Sequence, residues 1–327
     1  MISGEPNILA YFKCDHNEID AVDLVDLDEN LLWLKCDHNA LRFNLFASDA
    51  ENLLWLECND NEIEELDLDN VRLRYLKCDN NKIEDIFFPR NSNKFVYLSC
   101  SSNELEDIDI VPSSLEYIDF SNNKVEDAYF LKKGTSLKTI NCSSNKLGEI
   151  DLSKITALEV FSCDNNCLTD ISFAENPSIK TFSGLNQTVY EQSVSDNFDE
   201  NYPYEFDFNT LLSRKAEFSR VIDINVFGAD KSTIKFELNK EDSGSLILAE
   251  KPASIRYNYK PNAPFENNYL EVTVFFEEAL KNNDYGSGTN DDNNNLSYRR
   301  SSGGGCNAGF ISGIMALSLL GILRKKK

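Results

Sequence analysis

The sequence predicts a β-rich solenoid with a parallel sheet on its concave face, followed by a small β-sandwich-like domain and an apolar C-terminal tail. Three observations carry this. A unit L-x-x-L-x-C-x-x-N recurs about every 21 residues through the first half of the chain, and a fixed period in that range marks a solenoid. The period then stops, and β-rich runs separated by turn residues replace it. Finally the composition shifts to an Asn-, Asp- and Gly-rich stretch that leads into an apolar run and a basic end. The expected units are a solenoid of about nine repeats over 1–187, a cap plus β-rich domain over 188–281, a disordered linker over 282–305 and a membrane-spanning tail over 306–327.

The complete units centre on Cys14, Cys36, Cys58, Cys78, Cys100, Cys142 and Cys163, with Phe120 in the remaining slot and Gly184 marking a worn ninth copy. The second Leu and the Cys are two residues apart, so in a strand they share one face, the core. The Asn at the ninth position (Asn17, Asn39, Asn61, Asn81, Asn103, Asn123, Asn145, Asn166) follows where the chain turns inward. Its amide can both donate to and accept from backbone at that bend. A second apolar pattern follows, as in Leu66-Asp67-Leu68 and Ile150-Asp151-Leu152. It leaves room for short strands or tight turns and no long helix.

These residues resemble the leucine-rich repeat family in its short bacterial form, over roughly residues 8–187. The resemblance implies a curved, non-catalytic scaffold that binds other molecules on its concave sheet. It departs from the family pattern at Phe120, in the second half around Asn44-Leu45-Phe46, and in the final copy.

Neighbouring inward Cys would lie on adjacent parallel strands about 4.8 Å apart and facing the same way, which is poor geometry for a bridge. The Cys ladder therefore reads as packing by a small hydrophobe. Cys167, outside the ladder, is expected at a variable and exposed position. The net charge of −23 excludes nucleic acid as a natural partner and gives a self-repelling, soluble surface.

Residues 188–281 offer runs at Val221–Phe227, Thr233–Leu238, Ser245–Leu248, Ser254–Tyr259 and Tyr269–Phe276, a pattern that suits a small sandwich. Beyond them, Gly303-Gly304-Gly305-Cys306-Asn307-Ala308-Gly309, the apolar run to Leu323 and Arg324-Lys325-Lys326-Lys327 resemble the tripartite sorting signals of Gram-negative bacteria, of the Synergist-CTERM type. That resemblance implies membrane insertion, a C-terminal sorting protease acting near Gly305 and Cys306, and an exported protein at the cell surface or released from it. An exported chain needs a signal segment. Met1–Pro6 has neither a basic start nor an apolar run, so the natural N-terminus is expected upstream of Met1.

The outward positions carry the candidate binding residues. Tyr11, Trp33, Trp55, Tyr75, Tyr97 and Tyr117 occupy one outward position in consecutive units, after which Thr139, Val160 and Thr181 follow. Beside them run Lys13, Lys35, Glu57 and Lys77. Exposed aromatics with flanking charges are typical of binding hot spots. Aromatics also favour strands and stack across them, so a purely architectural row remains open. The two His repeat within Cys14-Asp15-His16-Asn17 and Cys36-Asp37-His38-Asn39, where two copies of one motif account for them without a metal. The sequence thus predicts a non-enzymatic surface protein, with no cofactor, binding a protein on a host or neighbouring cell, or a glycan. A structural spacer without ligand and a metal-dependent hydrolase built on His16 and His38 are the alternatives.

Overall fold

The computed structural model describes residues 9–276, apart from 23–29, 43–50, 70, 89–93, 110–112, 176–177, 192–194, 197–199, 214–215, 240–243 and 263–267. Each repeat contributes one short strand to the concave sheet, from Tyr11–Lys13, Trp33–Lys35 and Trp55–Glu57 through Val160–Ser162 to the longer Thr181–Glu191. All pair in parallel and in register, so that Leu34 faces Leu56 and Leu56 faces Leu76. The inward Leu and Cys are almost all fully buried. The second half of the turn is minimal, as expected. Glu65–Asp67 pairs in parallel with Asp85–Phe87, Leu152 bridges Phe173, and one turn carries the short 3-10 helix Tyr129–Lys133. That helix explains Phe120: Phe130 meets its ring edge-on at 5.4 Å, filling a turn too wide for Cys.

The seven ladder cysteines are free thiols. Six of them point the sulfur at a carbonyl of the following turn, among them Cys36 at Glu57 (3.4 Å) and Cys142 at Ser162 (3.3 Å). The slot thus selects a small apolar group that is also a weak donor. Burial pushes these thiols up from their ordinary pKa and keeps them unreactive. Cys167 departs from expectation: it is buried, at a position where the other turns carry partly or fully exposed residues such as Glu62 and Lys82.

The Asn position works harder than its motif suggests. Asn103 Nδ2 lies within 3.1 Å of the carbonyls of Cys78, Cys100 and Ser101, while its Oδ1 accepts from Ile83 N–H at 3.0 Å. One amide therefore closes its own bend and fastens it to the turn before. In the worn ninth copy Gln187 does the same work, donating to the Cys163 and Leu185 carbonyls and accepting from Leu168 N–H. The residue just before the Asn adopts a left-handed backbone in every copy, from His16 (φ 57°) and His38 (φ 54°) to Asn165 (φ 55°) and Asn186 (φ 57°). This explains why His, Asp, Asn and Ser alternate there, since Asx and His tolerate that region best.

Beyond the repeats, Val221–Phe227, Ser245–Leu248 and Ser254–Tyr259 are strands as expected, and Phe236–Leu238 and Leu270–Phe276 are shorter forms of two further runs. Their arrangement was not foreseen. Leu270–Phe276 pairs in parallel with Thr181–Glu191, and Ser254–Tyr259 and Val221–Phe227 extend it, so one 12-stranded sheet runs from the first repeat to the end of the described chain. A separate four-stranded antiparallel sheet holds Ser195–Asp196, Tyr204–Asp207, Ser245–Leu248 and Phe236–Leu238. Phe206 against Phe276 (5.5 Å) joins the two sheets, and Phe208, which opens the short helix Phe208–Leu211 after the strand, packs on Tyr257 (5.2 Å) of the large one. Residue 187 lies inside a continuous strand.

Candidate binding face

The outward side of the concave sheet carries three columns, each repeated at the turn spacing. The first is the aromatic row. Tyr11 lies over Trp33 at 3.5 Å and 44°, and Trp33 meets Trp55 edge-on at 6.4 Å. Trp55, Tyr75, Tyr97 and Tyr117 then form one continuous stack, with centroids 3.5, 4.2 and 4.2 Å apart and planes within 13° of parallel. Burial pushes the phenols of Tyr75, Tyr97 and Tyr117 above their ordinary pKa, that of Tyr97 to about 12. Trp33 Nε1 is the one buried side-chain polar atom without a hydrogen-bond partner among the described residues.

The second column holds the charges. Lys35 Nζ reaches Asp37 Oδ2 at 2.5 Å, Glu57 Oε2 and, at 3.9 Å, Asp15. Burial works against its ammonium, but the hydrogen bonds to Asp37 and Glu57 outweigh it and raise its pKa. Glu57 also accepts from Trp55 Nε1 at 2.7 Å. Burial disfavours its carboxylate, yet these donors hold it below the ordinary value. Lys77 differs: its Nζ lies 5.7 and 5.8 Å from the ring centroids of Tyr75 and Tyr97, within reach of a cation–π attraction.

The third column, the residue after each Cys, was missed in the sequence. Asp37 Oδ1 accepts the backbone N–H of Asn59 at 2.7 Å, Asn59 Oδ1 that of Asp79 at 2.8 Å, and Asp79 Oδ1 that of Ser101 at 2.7 Å. Each side chain caps the next turn, so several acids of the concave face are structural. Burial pushes the Asp79 carboxyl above its usual value despite hydrogen bonds from Ser99 and Ser101. A carboxyl raised in the folded state contributes its stability below the unfolded pKa and loses it as pH rises through the folded pKa. Asp79→Asn keeps an acceptor in place, as Asn59 shows one turn earlier, and removes the buried charge. We expect Tm to rise by a few degrees at pH 7, with the gain shrinking towards pH 4; thermal melts at both pH values check it, and a loss at pH 7 would mean that the hydrogen bonds to the carboxylate outweigh the cost of burying its charge.

His16 and His38 do fall at equivalent positions, with rings 4.3 Å apart and His38 Nδ1 at 3.4 Å from Asp60 Oδ2. No group of three or more His, Cys, Asp or Glu side chains suited to a metal occurs among the described residues. A cavity of about 310 Å³, lined by residues including Glu149, Asp151, Asp170, Tyr190 and Ser213, opens where the last turns meet the C-terminal sheets. Asp170 is engaged there by the Ser213 backbone and hydroxyl. Gly305 and Cys306 lie outside the described residues, and among those described no helix is long and apolar enough to cross a membrane.

Residues 135–187 match the family model described as Leucine Rich repeats (2 copies). No protein of curated function matches the sequence. Among solved structures, the functional domain of InlJ from Listeria monocytogenes, described as including a cysteine ladder, is similar at 16% identity and TM-score 0.41, over 82% of this chain and 80% of that one. Internalin C2 from Listeria monocytogenes is similar at 19% and 0.42, over 54% and 80% respectively. YopM from Yersinia enterocolitica is similar at 22% and 0.40, over 57% and 47%. With one strand per turn, a buried Leu and Cys, and the Asn bend repeated through the coil, the chain carries leucine-rich repeats.

Proposed function

We propose that this is a non-enzymatic recognition protein, acting at a bacterial cell surface and binding another protein through the concave face of its N-terminal turns. Leucine-rich repeats generally serve as protein-interaction scaffolds, and the carrying observation is a change in the face itself. Up to Tyr97 the position beside the aromatic row holds Leu32, Leu54 and Val96, interrupted by Arg74; from Glu116 onward it becomes a rail of ion pairs, Glu116–Lys138 and Glu159–Lys180, each at 2.8 Å. The aromatic row ends at the first rung of that rail. A row kept only for packing gives no reason for its neighbouring column to change with it.

Replacing Trp33, Trp55 and Tyr75 together with Ala in the full chain should abolish its retention on cells while the far-UV circular dichroism stays unchanged. Retention at wild-type level would sink the face. If the wild type itself retains nothing above background, the spacer reading stands instead. The surface address rests on the tail. We read residues 301–327 as a sorting signal and the β-rich region before it as a sandwich-like stalk; a mature protein whose intact mass still includes Lys327 would rule out cleavage.

A further inference from the structure

The geometry points to the chemistry of the partner: we infer that the concave patch takes a polypeptide presenting aliphatic side chains around one carboxylate, and that it does not take a glycan. This rests on the concave face being the binding face.

The argument begins with the rings. A sugar docks on an aromatic side chain through C–H groups laid on the ring's negative face, whereas the ring edge is positive. From Trp55 to Tyr117 the faces are spent on each other at 3.5–4.2 Å, a gap with no room for a pyranose. Tyr11 and Trp33 also cover one another. What the stack shows the solvent is edges and a line of phenol hydroxyls. Beside it lie aliphatic groups that are open: Leu32 is 43% and Val96 40% exposed. Apolar side chains of a partner gain by covering these and the ring edges, because both lose contact with water.

The charge follows from the same accounting. Once the patch is covered, every ion in it loses water, and an ion left without a counter-charge is strongly penalised. Lys13 lies 3.5 Å from Asp15, and Lys35 and Glu57 already hold each other. Lys77 sits beside the middle of the stack, opposite Glu57 on the adjacent strand. Glu57 feels its charge but has its two oxygens bonded to Lys35 and Trp55, so no carboxylate lies within 4 Å of Lys77 Nζ among the described residues. A carboxylate on a covering partner supplies the direct counter-charge that Glu57 gives only at longer range.

The test pans the full chain against a random dodecapeptide display library and, in parallel, titrates it with cellohexaose and chitohexaose in a calorimeter. Enriched peptides should carry aliphatic residues around an Asp or Glu. Lys77→Glu and Leu32→Asp should each weaken them by about tenfold or more, about 1.4 kcal/mol. Changing the peptide's acid to Lys should restore binding to Lys77→Glu, and the sugars should give no heat. Enriched peptides indifferent to Lys77→Glu overturn the inference, and so does sugar binding that the triple Ala variant abolishes; both leave the concave face standing as the binding face. No enrichment and no sugar binding overturns the inference and counts against the face as well.

Discussion

Asn103→Ala should cost about 3–5 kcal/mol of stability, a large fraction of the 5–15 kcal/mol typical of a folded domain. Asn103 is buried, and truncation removes the Nδ2 bonds to Cys78, Cys100 and Ser101 together with the acceptor for Ile83 N–H. Alanine replaces none of these partners, and each buried group left unpaired costs about 1–3 kcal/mol. Asn103→Asp should be at least as harmful at neutral pH, because a carboxylate cannot donate and would face three carbonyls. Asn103→Gln should fall between, since Gln187 shows a longer amide doing the same work at the last bend. Denaturant melts of the three variants check the order. Because each turn of a solenoid contacts only its neighbours, hydrogen exchange in Asn103→Ala should rise first in the turns around Cys78 and Cys100. A loss below about 1 kcal/mol, within the range of one ordinary hydrogen bond, would mean the amide is not the fastener described.

The period made the solenoid legible, because inward and outward residues alternate within a unit that returns every 20 to 22 residues. The strands, the core Leu and Cys, the Asn bends and the aromatic row all follow from that alternation. Other features depend on register between turns. The chain of acceptors from Asp37 through Asn59 to Asp79 joins residues 20 to 22 apart, and in one turn each looks like a solvated acid. The left-handed position was written in the sequence as a run of His, Asp, Asn and Ser, and only the backbone gave it meaning. Ring orientation was not legible at all. The motif places six aromatics in line, but whether they offer faces or edges depends on their side-chain torsions and decides which ligand they suit.

Gly184 is where the repeat and the C-terminal strands meet, and restoring the motif there should do harm. Gly184→Cys returns the repeat's usual residue to the ninth slot, so a reading of the repeat alone would expect it to be neutral or stabilising. The structure argues otherwise. A Cβ at this position would sit 2.6 Å from Phe182 Cζ and 2.9 Å from Leu270 Cδ1. Both neighbours are buried core residues, so neither can swing into solvent. Leu270 opens the strand that extends the solenoid sheet and is registered opposite Gly184 itself. The slot lacks a side chain because the next part of the chain fills it. Overpacking of this kind costs about 1–3 kcal/mol, and Gly184→Ala should already show most of it, since Cβ alone makes the clash. Cys163→Ala, one turn earlier, would instead lose only a sulfur and its weak bond to Ser183. Thermal melts of all three should rank both Gly184 variants below Cys163→Ala. A Gly184→Cys protein as stable as wild type would show that Leu270 does not occupy the slot, and the continuity of the 12-stranded sheet across that junction would lose its packing rationale.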